Sequence, residues 1–160
     1  TGIRISELVG LNNEDLDFDN NSFIVTRKGG GKSILYFDKD VAAALMRYID
    51  QKDERRRPDS EDGGALFISA QNRRLTVRAV ENLVKKYARI VSPLKKISPH
   101  KLRSTYGTQL YKATGDIYIV ADILGHKDVN TTRKHYAAIS DANRRSVVGK
   151  VKLTRPDDEQ

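Results

Sequence analysis

The sequence lacks cysteine, long apolar runs, internal repeats and low-complexity tracts. Without cysteine the chain has no disulfide framework and no thiolate metal site, which fits a reducing compartment. No stretch approaches the roughly 18 apolar residues of a membrane-spanning helix, and no signal-like start occurs. We therefore expect a soluble, cytoplasmic protein with no membrane partner. The first residue, Thr1, is not a methionine, so we expect a piece of a longer protein.

What the chain has in excess is positive charge. Its 29 Lys and Arg residues against 21 Asp and Glu give a net charge of +8 over 160 residues, with a pI near 9.7. Such an excess favours a polyanionic partner, although charge alone fits a merely basic soluble protein equally well. Any of the paired basic clusters along the chain could line a DNA groove, and the sequence does not say which.

Nothing in the sequence indicates a metal site. His126 and His135 lie nine residues apart with no partner at ligand spacing. The acidic stretch 14–19 lacks the calcium-loop pattern. We therefore expect neither a metal nor a cofactor.

Near the N-terminus the patterns predict one helix and a hairpin. A short apolar stripe followed by Gly10 predicts a helix over residues 2–9, on which Arg4 and Glu7 could pair at i,i+3. Two β-favouring runs, 23–25 and 34–37, flank three glycines and predict an antiparallel hairpin. Residues 16–18 could add a third strand.

The rest of the chain is predicted to be helical. One helix starts at an Asp38 or Asp40 cap and ends near Arg57, before Pro58. A further helix is predicted to start at Ser98-Pro99, with Leu102, Tyr106 and Leu110 as its buried stripe. Four other helices are predicted: Thr76 to Ser92, Ile117 to Gly125, Asp128 to Tyr136, and 140–150. The fold class is mainly α with a small antiparallel β-sheet near the N-terminus (α+β).

Three motifs occur in a distinctive order: T-G-I-R-I-S-E-L at the start, P-H-K-L-R-S, and L-G-H-K with Tyr136 ten residues after its histidine. In this order they resemble the tyrosine recombinase (phage integrase) family, from Thr1 to about Asn143. The resemblance implies a tyrosine recombinase catalytic domain over residues 1–152, truncated at its N-terminus, and a flexible tail over 153–160. The hairpin and the P-H-K-L-R-S run look most like integrases of phages or conjugative transposons.

Arg4 and Arg103 match the two arginines of the family. Cleavage of a phosphodiester by a hydroxyl adds negative charge to a pentacoordinate phosphorus, which cationic donors must stabilise when no metal does so. Arginine suits this role because its planar fork binds phosphate through two bonds and stays protonated. A surface ion pair is the ordinary role of an isolated arginine.

The resemblance implies that Tyr136 is the nucleophile. A phenol is a weak nucleophile at neutral pH and needs cationic neighbours or a base. Among the seven tyrosines, only Tyr136 has the family's offset from L-G-H. We interpret Tyr118, which precedes L-G-H, as a packing residue.

Two of the three histidines match family positions. His100 falls in the first turn after the Ser98-Pro99 start, where the positive helix end favours phosphate. The resemblance implies an acid/base or phosphate-contacting role for it. His126 is implied to donate a hydrogen bond to the scissile phosphate. His135 has no motif counterpart and is interpreted as structural.

A catalytic lysine is implied on the hairpin, as the general acid that protonates the departing 5′-oxygen. Lys28 is the favoured candidate and Lys32 its competitor, because the glycines between them let the turn adopt several positions. A phosphate-binding loop of the G-x-x-x-x-G-K-S type is excluded, since Thr26 stands where that motif needs glycine.

The resemblance thus implies a site-specific recombinase that cleaves and rejoins double-stranded DNA through a covalent 3′-phosphotyrosyl intermediate, without ATP, metal or small-molecule substrate. It implies self-association into a synaptic tetramer on DNA, and a nucleoid-associated location. Two alternatives remain. One is a type IB topoisomerase-like enzyme, which shares the chemistry but only relaxes supercoils. The other is a DNA-binding module without catalysis.

Overall fold

The computed structural model describes residues 1–55, 64–126, 128–130 and 132–133. The chain divides into two compact units, Thr1–Tyr106 and a second that begins at Gly107. Each unit is described by itself. The sequence-based boundary at residue 152, the helix over 140–150 and the tail over 153–160 lie outside the described residues.

The first unit contains the three-stranded sheet that the sequence predicts. Strands β1 (Leu16–Asp17), β2 (Ser22–Thr26) and β3 (Lys32–Tyr36) are antiparallel in the order β1-β2-β3. The β2–β3 hairpin is in register from Ser22↔Tyr36 to Thr26↔Lys32. Beyond that last pair, Arg27 N donates to Gly31 O at 2.7 Å and closes the turn. The hairpin and the third strand are both confirmed.

Alternation of side chains gives this sheet two different faces. Phe23, Val25 and Leu35 are buried on one face, where α1 packs against β2. Ile24, Ile34 and Tyr36 are exposed on the other face. Because the period is two, Lys32 belongs to the exposed face with Ile34.

Helix α1 (Ile5–Gly10) is shorter than the predicted 2–9 and ends one residue later. Gly2 has a positive φ of 63°, and Arg4 is extended with ψ 148°, so the backbone before Ile5 is not helical. Gly10 is the last helical residue, and the extended Leu11 follows it as the cap. A 3₁₀ turn at Asn13–Asp15 leads into β1.

Three longer helices begin at capping residues that the sequence predicts. Helix α2 (Lys39–Arg55) follows Asp38, whose Oδ1 accepts from Val41 N at 2.8 Å. Helix α3 (Val77–Val91) follows Thr76, and α4 (Pro99–Thr114) follows Ser98; both hydroxyls accept backbone N–H bonds. The predicted end of α2 near Arg57 lies outside the described residues.

The segment between α2 and α3 is pinned by a buried lysine. Lys52 is 4% exposed, and its Nζ donates to Asn13 Oδ1 and to the carbonyls of Ala65 and Leu66. Ala65 and Leu66 are fully buried. These three bonds satisfy the ammonium, which would otherwise be costly to bury.

Two packing predictions are wrong. Leu102 of α4 is 50% exposed, whereas the helix buries Gly107 and Tyr111. The buried residues therefore lie on the row of Gly107 and Tyr111, four positions apart, and not on the predicted row of Leu102, Tyr106 and Leu110. Tyr118 is 71% exposed instead of packed, because its helix buries the side that carries Val120.

The second unit contains the end of α4 and helix α5 (Ile117–Leu124). Asp116 caps α5 by accepting from Tyr118 N and Ile119 N, and Gly125 ends it with a left-handed φ of 62°. Asp128 Oδ1 accepts from Asn130 N at the start of the next helical segment, as predicted. None of the helices in the described part of the chain combines the length and the apolarity that crossing a bilayer requires.

Candidate active site

Arg4 is the residue that precedes α1, and Glu7 holds it there. Arg4 Nη1 lies 2.8 Å from Glu7 Oε1, and Arg4 N donates to Glu7 Oε2 at 2.8 Å. The Glu7 side chain is only 3% exposed, while that of Arg4 is 30% exposed. The predicted i,i+3 pair is confirmed, and it leaves part of the Arg4 side chain accessible from solvent.

Glu7 also binds a second arginine, which the sequence reasoning missed. Arg27 Nη1 lies 3.2 Å from Glu7 Oε2, and Arg27 Nε donates to Ser33 Oγ at 3.3 Å. The two arginines therefore share one buried carboxylate. The 20 residues between Glu7 and Arg27 leave no local pattern from which this contact could have been found.

Lys28 and Lys32 are both exposed, but they occupy different parts of the hairpin. Lys28 lies in the turn directly after Arg27, beyond the last strand pair. Lys32 is the first residue of β3, opposite Thr26. Lys28 is thus next in the chain to Arg27, whereas Lys32 is next to Ser33, which accepts from Arg27 Nε.

The other end of α1 is held by Arg74. Its Nη1 donates to Val9 O at 3.0 Å and to Leu11 O at 2.9 Å, and its Nη2 donates to Asn12 Oδ1 at 2.5 Å. The last carbonyls of a helix lack intrahelical partners, so a cation is a favourable cap there. Helix α1 is thus fixed at both of its ends by arginine contacts.

Arg103 reaches from α4 to the segment that carries Arg4. Its Nη1 donates to Gly2 O at 2.7 Å, a contact between residues 101 positions apart in the chain. His100 lies three residues earlier, in the first turn of α4, and is exposed. The structure therefore brings Arg103 into contact with Gly2, which is two residues before Arg4 in the chain. It places His100 one helical turn before Arg103 on α4.

His126 is described within the second unit. It follows the left-handed Gly125, and its backbone N donates to Ala121 O at 2.9 Å. Its Nδ1 lies 2.6 Å from the Oγ1 of Thr132, which is fully buried. The sequence reasoning missed Thr132, although its position shortly after L-G-H was a usable signal.

Tyr136 and His135 lie outside the described residues. Within the described ranges, no three His, Cys, Asp or Glu side chains are grouped so as to hold a metal ion.

The chain resembles known proteins in both sequence and fold. A model described as "Phage integrase family" matches residues 1–143. The tyrosine recombinase XerC of Syntrophus aciditrophicus (strain SB) is 34% identical over 148 residues, covering 88% of this chain and 46% of that protein. XerC of Thermodesulfovibrio yellowstonii is 36% identical over 135 residues, covering 83% and 45%. The chain spans about half the length of the curated relatives it matches.

Solved structures with similar folds include a recombinase and a transposon integrase. The crystal structure of XerA recombinase gives a TM-score of 0.78 with 26% identity, covering 96% of this chain and 55% of that one. The Tn1549 transposon integrase in complex with transposon right end DNA gives a TM-score of 0.69 with 29% identity, covering 92% and 55%.

Proposed function

Since the chain belongs to the phage integrase family, the tyrosine recombinases, we propose that it is the catalytic domain of a site-specific DNA recombinase. The observation that carries the proposal is the contact between Arg103 and Gly2 O, at 2.7 Å. It joins two motifs that are far apart in sequence, as a shared phosphate site requires. On this proposal the domain spans residues 1–152.

Arg4 and Arg103 are the phosphate clamp. Each guanidinium offers several N–H donors to the non-bridging oxygens, where charge develops in the transition state. One such preorganised donor contributes about 3–4 kcal/mol to barrier reduction. The buried Glu7 orients Arg4 before DNA arrives, so little ordering of that side chain remains to be done on binding.

Lys28 is the general acid, and the sheet geometry supports it over Lys32. Lys32 falls on the exposed sheet face with Ile34, whereas Arg27 binds Glu7 of α1 on the opposite side of the hairpin. Lys28 directly follows Arg27, which is bonded to Glu7 beside Arg4.

The two histidines serve the phosphate from different positions. His100 stands in the first turn of α4, where the positive helix end favours an anion, and acts as an acid/base or phosphate-contacting group. His126 donates a hydrogen bond to the phosphate. Because its Nδ1 already contacts Thr132, Nε2 is the nitrogen left for that donation.

The reaction is a transesterification. The Tyr136 oxygen attacks the phosphorus and loses its proton to a base or to water, while the bond from phosphorus to the 5′-oxygen breaks. Lys28 gives a proton to that oxygen, which leaves a 3′-phosphotyrosyl link and a 5′-hydroxyl. A 5′-hydroxyl from a partner strand then reverses the steps, so neither ATP nor a metal is required.

The partner is double-stranded DNA, bound by several protomers in a synaptic tetramer. The Tn1549 integrase was solved with transposon DNA, and the net charge of +8 makes a similar partner favourable here. The protein would then act on DNA in the cytoplasm, at the nucleoid. Its site residues and hairpin favour an integrase of a phage or a conjugative transposon.

The test is capture of the covalent intermediate. The chain is incubated at low salt with a pool of duplexes of random sequence, each nicked so that the released 5′-hydroxyl fragment diffuses away. Covalent adducts are isolated under denaturing conditions, and their DNA ends are sequenced. We expect adducts joined at a 3′-phosphate, which also identifies the preferred target.

Two tyrosine variants make the test specific. Tyr136→Phe should abolish the adduct and leave DNA binding unchanged. Tyr118→Phe is the matched control, because Tyr118 is 71% exposed and should be dispensable. Adducts formed by the Tyr136 variant would disprove the nucleophile assignment. If the unaltered chain forms none, the proposal of a catalytic domain fails. Supercoil relaxation without strand exchange would instead indicate a topoisomerase-like enzyme.

A further inference from the structure

We propose that Arg27 is a positioning residue, which holds the general acid Lys28 at the scissile phosphate by binding Glu7. The inference rests on the proposed function and adds to it a residue that matches none of the three sequence motifs. Arg27 acts through Lys28 and does not touch the reacting atoms.

Contacts with Gly31, Ser33 and Glu7 fix Arg27 in place. Its backbone N donates to Gly31 O at 2.7 Å across the turn. Its Nε donates to Ser33 Oγ at 3.3 Å on the opposite strand, and its Nη1 pairs with Glu7 Oε2 at 3.2 Å on α1. With a side chain only 11% exposed, Arg27 joins both strands of the hairpin to the helix that follows Arg4.

Lys28 needs such an anchor because the rest of the turn is permissive. The strand ladder ends at Thr26↔Lys32, one residue before Arg27. Gly29 and Gly30 follow Lys28 with φ of 102° and 86°, a region that glycine enters freely. The bond from Gly30 N to Arg27 O at 2.9 Å closes a turn around Lys28. The lysine is therefore carried by Arg27, whose own position is set by its bonds to Gly31, Ser33 and Glu7.

The Glu7 carboxylate sets the position of the general acid Lys28 relative to Arg4 of the phosphate clamp. Glu7 Oε1 binds Arg4, and Oε2 binds both Arg27 and the backbone N of Arg4. A shift of the hairpin tip by about 1 Å is enough to cost on the order of a hundredfold in rate when it misplaces a reacting group. The Arg27–Glu7 contact therefore keeps the lysine in register with the arginine that binds the same phosphate.

Replacing the leaving 5′-oxygen by sulfur distinguishes a role of Arg27 in proton delivery from a role in folding or phosphate binding. In a substrate with a 5′-bridging sulfur, the bond from phosphorus to sulfur breaks and a thiolate departs without needing a proton. A free thiol has a pKa of about 8.5, so the thiolate is a good leaving group. A defect in proton delivery disappears on the sulfur substrate, while a defect in phosphate binding or folding persists.

The variants are compared on the DNA sequence recovered from the adducts, in single-turnover cleavage at saturating protein. Arg27→Gln should slow cleavage of the oxygen substrate by about 10- to 100-fold, part of the contribution of a general acid. It should slow the sulfur substrate by less than about threefold. Lys28→Met should show the same selectivity with a larger effect, and Arg103→Gln should slow both substrates alike.

Arg78→Gln is the matched control. It removes the same charge from an arginine that pairs with Glu81 at 3.6 Å, but on an exposed surface of α3. We expect both substrates to be cleaved at the unaltered rate. If this variant slows the oxygen substrate as Arg27→Gln does, the effect belongs to net charge and the proposal is overturned.

Two results would overturn the role of Arg27 while leaving the proposed function intact. One is an equal loss on both substrates, and the other is no loss on either. Ser33→Ala keeps the test valid if Arg27→Gln does not fold, because it removes only the bond to Arg27 Nε and keeps the ion pair of Arg27 with Glu7. It should raise the sulfur-to-oxygen rate ratio at least about twofold with an unchanged melting temperature; an unchanged ratio contradicts the proposal. If the unaltered chain forms no adduct, it is the proposed function that fails.

Discussion

Replacing Arg74 with methionine removes three hydrogen bonds that hold the C-terminal end of α1. The guanidinium donates to Val9 O, Leu11 O and Asn12 Oδ1 at 2.5–3.0 Å. Methionine keeps most of the stem volume, so the change tests the polar head of the side chain.

The expected magnitude follows from these bonds one by one. A hydrogen bond contributes about 1 kcal/mol net, and more when the donor is charged. Leu11 O keeps a second bond, from Leu66 N at 2.9 Å. We therefore expect a loss of about 2–4 kcal/mol in the free energy of unfolding. At about 3 °C per kcal/mol for a chain of this size, the melting temperature should fall by roughly 6–12 °C.

The measurement is thermal and urea unfolding followed by far-UV circular dichroism. Arg73→Met is the control, because Arg73 is the preceding residue and its side chain is exposed. We expect that control to stay within about 0.5 kcal/mol of the unaltered chain. Equal effects of the two variants would show that the contacts of Arg74 with α1 do not stabilise the fold.

Three further outcomes are expected. Thr132→Val should remove the bond to His126 Nδ1 and slow cleavage about tenfold by releasing the ring, as measured by adduct formation; an unchanged rate would exclude an orienting role. Hydrogen bonds from the side-chain amide and then the backbone N–H of Asn20 hold the pKa of Asp17 below its ordinary value of 3.8. This contribution to stability is therefore present above pH 3.8 and lost as the pH falls through the folded-state pKa. Asn20→Ala should raise that pKa in an NMR titration and lessen the loss of stability in acid; no change would contradict the assignment. Finally, DNA affinity should fall on the order of a hundredfold between about 50 and 200 mM salt if about four phosphates are contacted, and a flat salt dependence would argue against a phosphate-dominated interface.

Local chemistry made much of this fold predictable. Capping residues mark the start of three helices, since the oxygens of Asp38, Thr76 and Ser98 each accept a bond from the backbone N–H three residues on. The hairpin was predictable because two β-favouring runs flank a glycine turn. The pair of Arg4 and Glu7 followed from i,i+3 spacing alone.

Contacts that depend on tertiary packing were not predictable in this way. Arg27 meets Glu7 over 20 residues, and Arg74 meets Val9 over 65, with no periodicity to report either contact. The exposure of Leu102 and Tyr118 depends on which row of each helix meets a neighbour, and an apolar pattern does not decide that when several rows are apolar. Six candidate site residues could be named from the motifs and the hairpin, and Glu7 from its spacing to Arg4, but Arg27, which binds the same carboxylate, could not.

Helix α1 has only six residues, far fewer than the roughly 12–15 that an isolated helix needs to be even marginally stable in water. The backbone next to Arg4 therefore owes its conformation to contacts made by distant segments, and it should melt together with them on warming. Strand cleavage and the circular dichroism signal should then be lost at the same temperature.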